Sequence, residues 1–349
     1  MFVHFIANFC SGNKEPGSRY NPSASPAARD DHPMDLEPQS PAGDEPPGPG
    51  GEAILVTGAS GFLGRQALWA AARSGPARGT FWSAAPGSLR GLGPLFRLDL
   101  ASREGVRRLF EELRPAAVIH AAACADWRRC EEDPELARRA NVQGTRHIAE
   151  AAARVGSRLV YVSTDLVFDG EEAPYDETAS PRPLSAYGRT KLEGERVALE
   201  SSEDSCVVRL SLLFGWSRGA RANFSEAAIH AIRSGGEVAG FVDEFRTPLY
   251  APDAAEALVA LARRPDLTGV FHLGGGERLS RYEFALRACR AFSLPESRVR
   301  PAKVAEVFPG ARRARDSSLD DRATRRALGT LPRPIDEALR AMRLEEPGT

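Results

Sequence analysis

The chain has 349 residues, 42% of them hydrophobic and 27% charged, enough apolar material for one large α/β domain or two ordinary ones. The 46 lysines and arginines against 47 aspartates and glutamates leave a net charge of −1, which argues against nonspecific nucleic-acid binding and a polybasic membrane surface. No stretch approaches the ~18 consecutive apolar residues of a spanning helix. The five cysteines stand at irregular spacings without a C-x-x-C pair, which argues against a disulfide framework and a metal site. A reducing, cytoplasmic compartment is the expectation.

Nine of the 26 prolines lie in residues 1–50, a stretch ending Asp44-Glu45-Pro46-Pro47-Gly48-Pro49-Gly50. Such a composition cannot bury enough apolar surface to offset its ordering entropy. It is expected to be a disordered leader, or to precede a translation start at Met34. From Glu52 the character changes. Ala53-Ile54-Leu55-Val56-Thr57 is a short apolar run stopped by glycine and reads as a buried strand. A helical pattern follows over 61–73. Strands are predicted at 79–82 and 95–98, a helix over 102–113, and a fourth strand at 116–120. A long helix over 134–155 stops at Gly156, and a fifth strand covers 158–163. A helix over 185–199 and strands at 206–210 and 269–273 complete the alternation. This pattern predicts βαβ units and a doubly wound parallel sheet. Residues 51–211 are then a dinucleotide-binding domain. Residues 212–345 mainly form a smaller lobe, with helices over 223–234, 280–292 and 335–342, while strand 269–273 returns to the main sheet.

Three constellations carry chemistry. Thr57-Gly58-Ala59-Ser60-Gly61-Phe62-Leu63-Gly64 joins a predicted strand to a predicted helix. Its glycines allow a tight turn and a close backbone approach to a pyrophosphate on the helix N-terminus. Tyr187 and Lys191 stand four apart in Tyr187-Gly188-Arg189-Thr190-Lys191, on one helix face. A nearby ammonium favours phenolate, which makes tyrosine a usable acid/base. Lys191 is one of only three lysines in an arginine-rich chain, so it is a candidate for a role that a guanidinium does not fill. Ser163-Thr164-Asp165 follows the fifth strand, where a hydroxyl can meet a substrate carbonyl beside Tyr187. The cluster Arg312, Arg313, Arg315, Arg322, Arg325 and Arg326 reads as a solvated or ion-paired face, and His120 as a satisfied core histidine.

In this order the three pieces resemble the extended short-chain dehydrogenase/reductases. Ser163-Thr164-Asp165-Leu166-Val167-Phe168-Asp169-Gly170, Tyr187-Gly188-Arg189-Thr190-Lys191-Leu192-Glu193-Gly194-Glu195 and Phe245-Arg246-Thr247-Pro248 narrow the resemblance to the dTDP-4-dehydrorhamnose reductase branch. It covers about residues 53–339. The branch is also similar to sugar-nucleotide epimerases and dehydratases, and to the NADP-binding regulatory β subunit of methionine adenosyltransferase.

The resemblance implies an NAD(P)-dependent reduction of a ketone on a nucleotide-linked sugar. Tyr187 would be the acid/base, Lys191 its modulator and ribose anchor, and Thr164 the partner hydroxyl with Ser163 as understudy. Gly58, Ser60, Gly61, Phe62, Leu63 and Gly64 would hold the pyrophosphate. Asp99 and Leu100 would meet the adenine, and Ala121, Ala122 and Ala123 would line the nicotinamide side. Asn141 would bridge helix and sheet. The second strand ends Phe81-Trp82-Ser83-Ala84-Ala85 without a carboxylate, and Arg90 follows. With Ser83 at the ribose position, NADP is expected, with NAD admitted. In Cys124-Ala125-Asp126-Trp127-Arg128-Arg129-Cys130-Glu131 the large Trp127 and Arg128 depart from the branch's usual residues and, with Asp126, are expected to face substrate. Arg246, with Arg218 and Arg221 and the rings of Phe224 and Phe245, is expected to grip a nucleotide diphosphate. The expected partners are a small-molecule nucleotide sugar and, as an option, a second copy in a homodimer, with no nucleic acid, membrane or metal. A regulatory, non-catalytic role is the competing class.

Overall fold

The computed structural model describes residues 52–82, 89, 91–220, 222–329 and 332–347. The expected leader at 1–50 and the candidates Ser83, Arg90 and Arg221 lie outside them.

Seven parallel strands form the central sheet: β1 (Ile54–Thr57), β2 (Ala77–Phe81), β3 (Leu95–Arg97), β4 (Ala117–His120), β5 (Arg158–Thr164), β6 (Cys206–Leu210) and β7 (Gly269–Leu273). Their order is β3-β2-β1-β4-β5-β6-β7. The order reverses between β1 and β4, and a crevice at that reversal is where such sheets bind ligands. Both faces are covered, which explains why the strands read as continuous apolar runs. Ile54 and Val56 pack on one side with α1 (Phe62–Ser74). Leu55 packs on the other with α2 (Arg103–Leu113) and α3 (Gly144–Val155). The helix α4 (Ala186–Ser201) closes that second side. The fold is the doubly wound, Rossmann-type α/β arrangement that the alternation predicts.

The long helix expected over 134–155 is three pieces. Pro134–Arg138 is α-helical, Arg139–Gln143 is a π-turn, and α3 follows. The π-turn presents Asn141, whose amide grips the Cys124 main chain on both sides, accepting from its N–H at 2.7 Å and donating to its carbonyl at 3.1 Å. Such turns inside helices are frequent beside functional sites. Asn141 therefore bridges helix and sheet, as the motif suggests.

After β6 come α5 (Phe224–Arg233), α6 (Ala251–Ala262), α7 (Arg281–Ala291) and α8 (Ile335–Leu344). The sequence reading omits α6. Its run Ala-Pro-Asp-Ala-Ala-Glu-Ala-Leu-Val-Ala-Leu-Ala has small residues on nearly every face, and hence a weak amphipathic signal. It belongs to the main sheet's core, where Leu258 and Leu261 are fully buried with Leu68 of α1. Also absent from the reading are three two-stranded pairings, 213–214 with 249–250, 238–241 with 299–302, and 245–246 with 279–280. Strands of two to four residues are too short to show a period. A separate core of Phe214, Trp216, Tyr250, Phe284 and Leu339 gathers α7 and α8. Among the described residues no helix is long and apolar enough to cross a membrane.

Candidate active site

The turn after β1 is built for close approach. Gly58 has φ of +70°, and a Cβ there would stand 2.7 Å from the Cα of Ala122. At Gly64 a Cβ would meet the Gly58 carbonyl oxygen at 2.1 Å. Neither position tolerates a side chain. The N-cap of α1 is Gly61, with no side-chain cap and no acidic residue in the first turn. The positive end of the helix dipole is thus met by no carboxylate of its own. Ser60, Phe62 and Leu63 are partly exposed around it and Gly61 is exposed. Ala122 closes the far side, its N–H donating to the Thr57 hydroxyl at 3.3 Å. Ala121 packs on the core, and Ala123 is exposed. These features fit the pyrophosphate and nicotinamide ends of a dinucleotide.

Asp99 and Leu100 lie in the turn after β3. The Asp99 carboxylate accepts from the Ala101 N–H at 2.9 Å. The Leu100 carbonyl accepts from His147 Nδ1 at 2.7 Å, and its side chain fills the space left by Gly144. His120 is fully buried between two hydroxyls. The Thr145 hydroxyl donates to the Asn141 carbonyl at 2.7 Å, so His120 Nε2 donates to Thr145 and Nδ1 accepts from Thr57 at 2.6 Å. Burial, assisted by Lys191, holds this imidazole down to about 3, which keeps it neutral. It is a satisfied core histidine.

Thr164 ends β5, and Ser185 caps α4 by accepting from the Gly188 N–H at 3.0 Å, which places Tyr187 in the helix's first turn. Burial pushes the Tyr187 phenol well above the ordinary tyrosine range, with Asp165 adding to the rise and a hydrogen bond to Thr164 opposing it. Lys191 is 3% exposed. Its ammonium lies 4.0 Å from the centre of the Tyr161 ring, and burial pulls it down to about 7 against the charge of Glu195. At Tyr187 the largest cause is burial, and burial also weakens the charge of Lys191. Ser163 points away from Thr164, as alternation along a strand requires. Its hydroxyl donates to Glu195 at 2.5 Å, and Glu195 is held by Arg209 at 2.8 Å in a buried pair. Ser163 is thus engaged on the face opposite Thr164.

A cavity of about 470 Å³ has Asp126, Trp127, Asp165, Ser185 and Arg246 in its wall, so it is lined by the chain neighbours of Thr164 and Tyr187 and not by those two residues themselves. Much of the remainder is apolar, from α5, Phe241 and α7. Asp126 caps the helix Trp127–Glu132, accepting from the Arg128 N–H at 3.1 Å. Trp127 meets the edge of Phe308, with the Arg313 guanidinium over both rings at 5.5 and 5.2 Å. Arg246 is 4% exposed and already tied, to Asp165 and to Glu244 at 3.5 Å each. Glu244 is wholly buried and also receives Arg313 at 2.7 Å and Arg281 at 3.6 Å. Burial raises its carboxyl, but the three guanidiniums prevail and hold it down to about 2.

The single arginine–aromatic grip expected after β6 is divided. Arg246 and Phe224 line the cavity, whereas Arg218 pairs with Glu345 at 3.1 Å beside a second depression near Trp69. Phe245 lies under the Arg278 guanidinium at 3.7 Å and is not in the cavity wall. The basic cluster is partly an ion-paired face, through Arg322 with Asp320 and Arg325 with Asp321. Arg313 leaves it to enter the cavity. The structure adds Glu244, Arg281 and Phe308 to the site, and brings Arg313 into the cavity wall from the cluster expected to be an ion-paired face. Asp165 has a local signal as the neighbour of Thr164, whereas Glu244, Arg281 and Phe308 arrive from distant segments.

The family model described as the RmlD substrate binding domain matches residues 52–346. Methionine adenosyltransferase 2 subunit beta of Rattus norvegicus is 32% identical over 274 residues, 76% of this chain and 80% of that protein. The dTDP-4-dehydrorhamnose reductase of Mycobacterium tuberculosis is 31% identical over 276 residues, 78% of this chain and 86% of that protein. The crystal structure of dTDP-4-dehydrorhamnose reductase from Bacillus anthracis in complex with NADP superposes with a TM-score of 0.72 at 28% identity, covering 84% of this chain and 99% of that one. The glycine turn, the Thr164–Tyr187–Lys191 set and the match along nearly all described residues agree: the chain belongs to the RmlD substrate-binding domain family, in the extended short-chain dehydrogenase/reductase branch.

Proposed function

We propose that the chain is an NAD(P)-dependent reductase of a ketone carbon on a nucleotide-linked sugar, of the dTDP-4-dehydrorhamnose reductase type, preferring NADP. The reading is supported by a glycine turn fit for a pyrophosphate after β1, by Thr164 at the end of β5 with Tyr187 and Lys191 on α4, and by a cavity of about 470 Å³ lined by Asp165 and Ser185. Gly58, Ser60, Gly61, Phe62, Leu63 and Gly64 hold the pyrophosphate. Asp99 and Leu100 border the adenine, and Ala121–Ala123 the nicotinamide. When bound, the reduced nicotinamide supplies a hydride to the ketone carbon. Tyr187 gives its proton to the ketone oxygen as the general acid. Thr164, already bonded to that phenol, steadies it and shares the oxygen. Lys191 anchors the ribose and restores the phenol's proton. Asp126, Trp127 and Arg246 face the substrate, and the elements from 212 to 345, β7 apart, act as its lobe.

The preference for NADP is supported by the missing carboxylate after β2 and by Arg97, whose guanidinium lies 5.5 Å from the centre of the Trp82 ring at the same sheet edge. A cytoplasmic location and, as an option, a homodimer go with this reading. The test is a screen of dTDP- and UDP-linked keto-sugars with NADPH, followed by absorbance. Oxidation of NADPH that depends on one of them supports the reading. The similarity to methionine adenosyltransferase 2 subunit beta favours a second reading, a non-catalytic NADP-binding regulatory subunit. That reading requires tight NADPH binding with no turnover across the whole screen.

A further inference from the structure

Two thiols stand beside the Tyr187 helix without a part in the reaction proposed above. Cys124 is partly exposed in the loop after β4, and Cys130 is fully buried in the helix Trp127–Glu132. Their sulfurs are 3.7 Å apart, and the Cys130 thiol also donates to the Cys124 carbonyl at 3.3 Å. The main chain of Cys124 is clamped on both sides by Asn141, and both cysteines pack in one small cluster with Ala137, Ala186 and Tyr187. The pair is thus held in contact by fixed backbone on both sides. Cys124 is the partly exposed residue of the pair and Cys130 the buried one.

We propose that Cys124 and Cys130 are a peroxide-oxidisable dithiol, in which Cys124 reacts with the oxidant and Cys130 resolves it to a reversible disulfide. The Cys124 thiolate attacks one peroxide oxygen, the O–O bond breaks, and the departing hydroxide takes a proton to leave as water. The product is a sulfenic acid on Cys124. The Cys130 sulfur then attacks the Cys124 sulfur, the S–O bond breaks, and a second water leaves with the Cys130 proton. Two thiols lose two electrons and the peroxide gains them. A dithiol reductant reverses the change.

The electrostatics favour this division of labour. The hydrogen bond from Cys130, with the charge of Arg129, lowers the Cys124 thiol to about 7 despite its burial, whereas Cys130 is pushed up. Cys206 and Cys289 are buried and pushed up to about 11, so the chain carries its own unreactive controls. The ring that the disulfide closes contains Asp126 and Trp127, both in the cavity wall. Oxidation therefore tethers that wall, whatever ligand the cavity takes.

The experiment uses the full-length chain and hydrogen peroxide. Remaining thiols are blocked with N-ethylmaleimide under denaturing conditions, followed by tryptic digestion without reductant and mass spectrometry. Trypsin cuts after Arg128 and Arg129, between the two cysteines, so a disulfide shows as two joined peptides that dithiothreitol separates. The expected result is this species forming at least about tenfold faster than any oxidation of Cys206 or Cys289. In Cys130→Ser, dimedone should trap a sulfenic acid on Cys124. Blocking of both Cys124 and Cys130 by maleimide after peroxide treatment overturns the proposal. So does oxidation of Cys124 no faster than that of Cys206 in either protein.

Discussion

The two walls of the site are built on opposite principles. The wall that faces the dinucleotide is nearly bare of charge. It is a glycine turn in which Gly58 and Gly64 are pressed against backbone, at the head of a helix that no side chain caps. The cavity wall is crowded with buried charge, with Arg246, Arg281 and Arg313 converging on Glu244, and Arg246 also on Asp165. A backbone wall binds phosphate through dipoles that need no rearrangement. A wall of guanidiniums already paired with buried carboxylates binds an anion in competition with those ion pairs. On the reading proposed above, the first wall is generic and selectivity for the sugar nucleotide is assigned to the second.

The largest effect is expected where the two walls meet. Tyr187→Phe should lower kcat by roughly 10²–10⁴-fold and leave NADPH affinity nearly unchanged, because the ring still packs and only the proton donor is lost. Steady-state rates alongside a fluorescence titration of NADPH check both halves. On the cavity side, Glu244→Ala removes the hub of three buried guanidiniums and should cost about 3–5 kcal/mol of stability, read by urea denaturation. A loss below about 1 kcal/mol would mean that water screens this network as it does a surface pair.

On the backbone side, Gly64→Ala should cost about 1–3 kcal/mol and open the turn, since its Cβ overlaps the Gly58 carbonyl. Its NADPH affinity should fall while the chain still folds, the reverse of the pattern for Glu244→Ala. A further effect concerns pH. Lys191 is lowered from 10.5 to about 7, so between these values the unfolded chain binds a proton that the folded chain does not. Its contribution makes stability rise with pH across that window. Lys191→Met should flatten the rise and stabilise the chain most at its lower end. Thermal melts at both ends of the window measure it, and an unchanged slope would show that the ammonium is solvated.

The same contrast explains what was legible in the sequence. The glycine turn is eight consecutive residues between a strand and a helix, and Tyr187 and Lys191 share one helical turn, so local spacing reveals them. Strands such as β1 and β4 show as apolar runs because both of their faces are covered, whereas β2 carries Arg78 and Thr80. Glu244, Arg281, Phe308 and Arg313 come together only when short strand pairs fold the chain after β6, and strands of two residues have no pattern to read. Helix α6 is hidden by its alanines. Trp127 stands out as a departure from the branch, while its contacts with Phe308 and Arg313 depend on the fold.

The most direct test of the central claim is transfer of the hydride itself. The full-length chain would be given NADPH carrying deuterium at the transferable position, together with nucleotide-linked keto-sugars, and the products weighed by mass spectrometry. The account expects one deuterium on the former ketone carbon of at least one sugar, and none with Tyr187→Phe over the same time. NADPH that binds tightly while every sugar stays unlabelled would contradict it, and would leave the chain a cofactor-binding regulator.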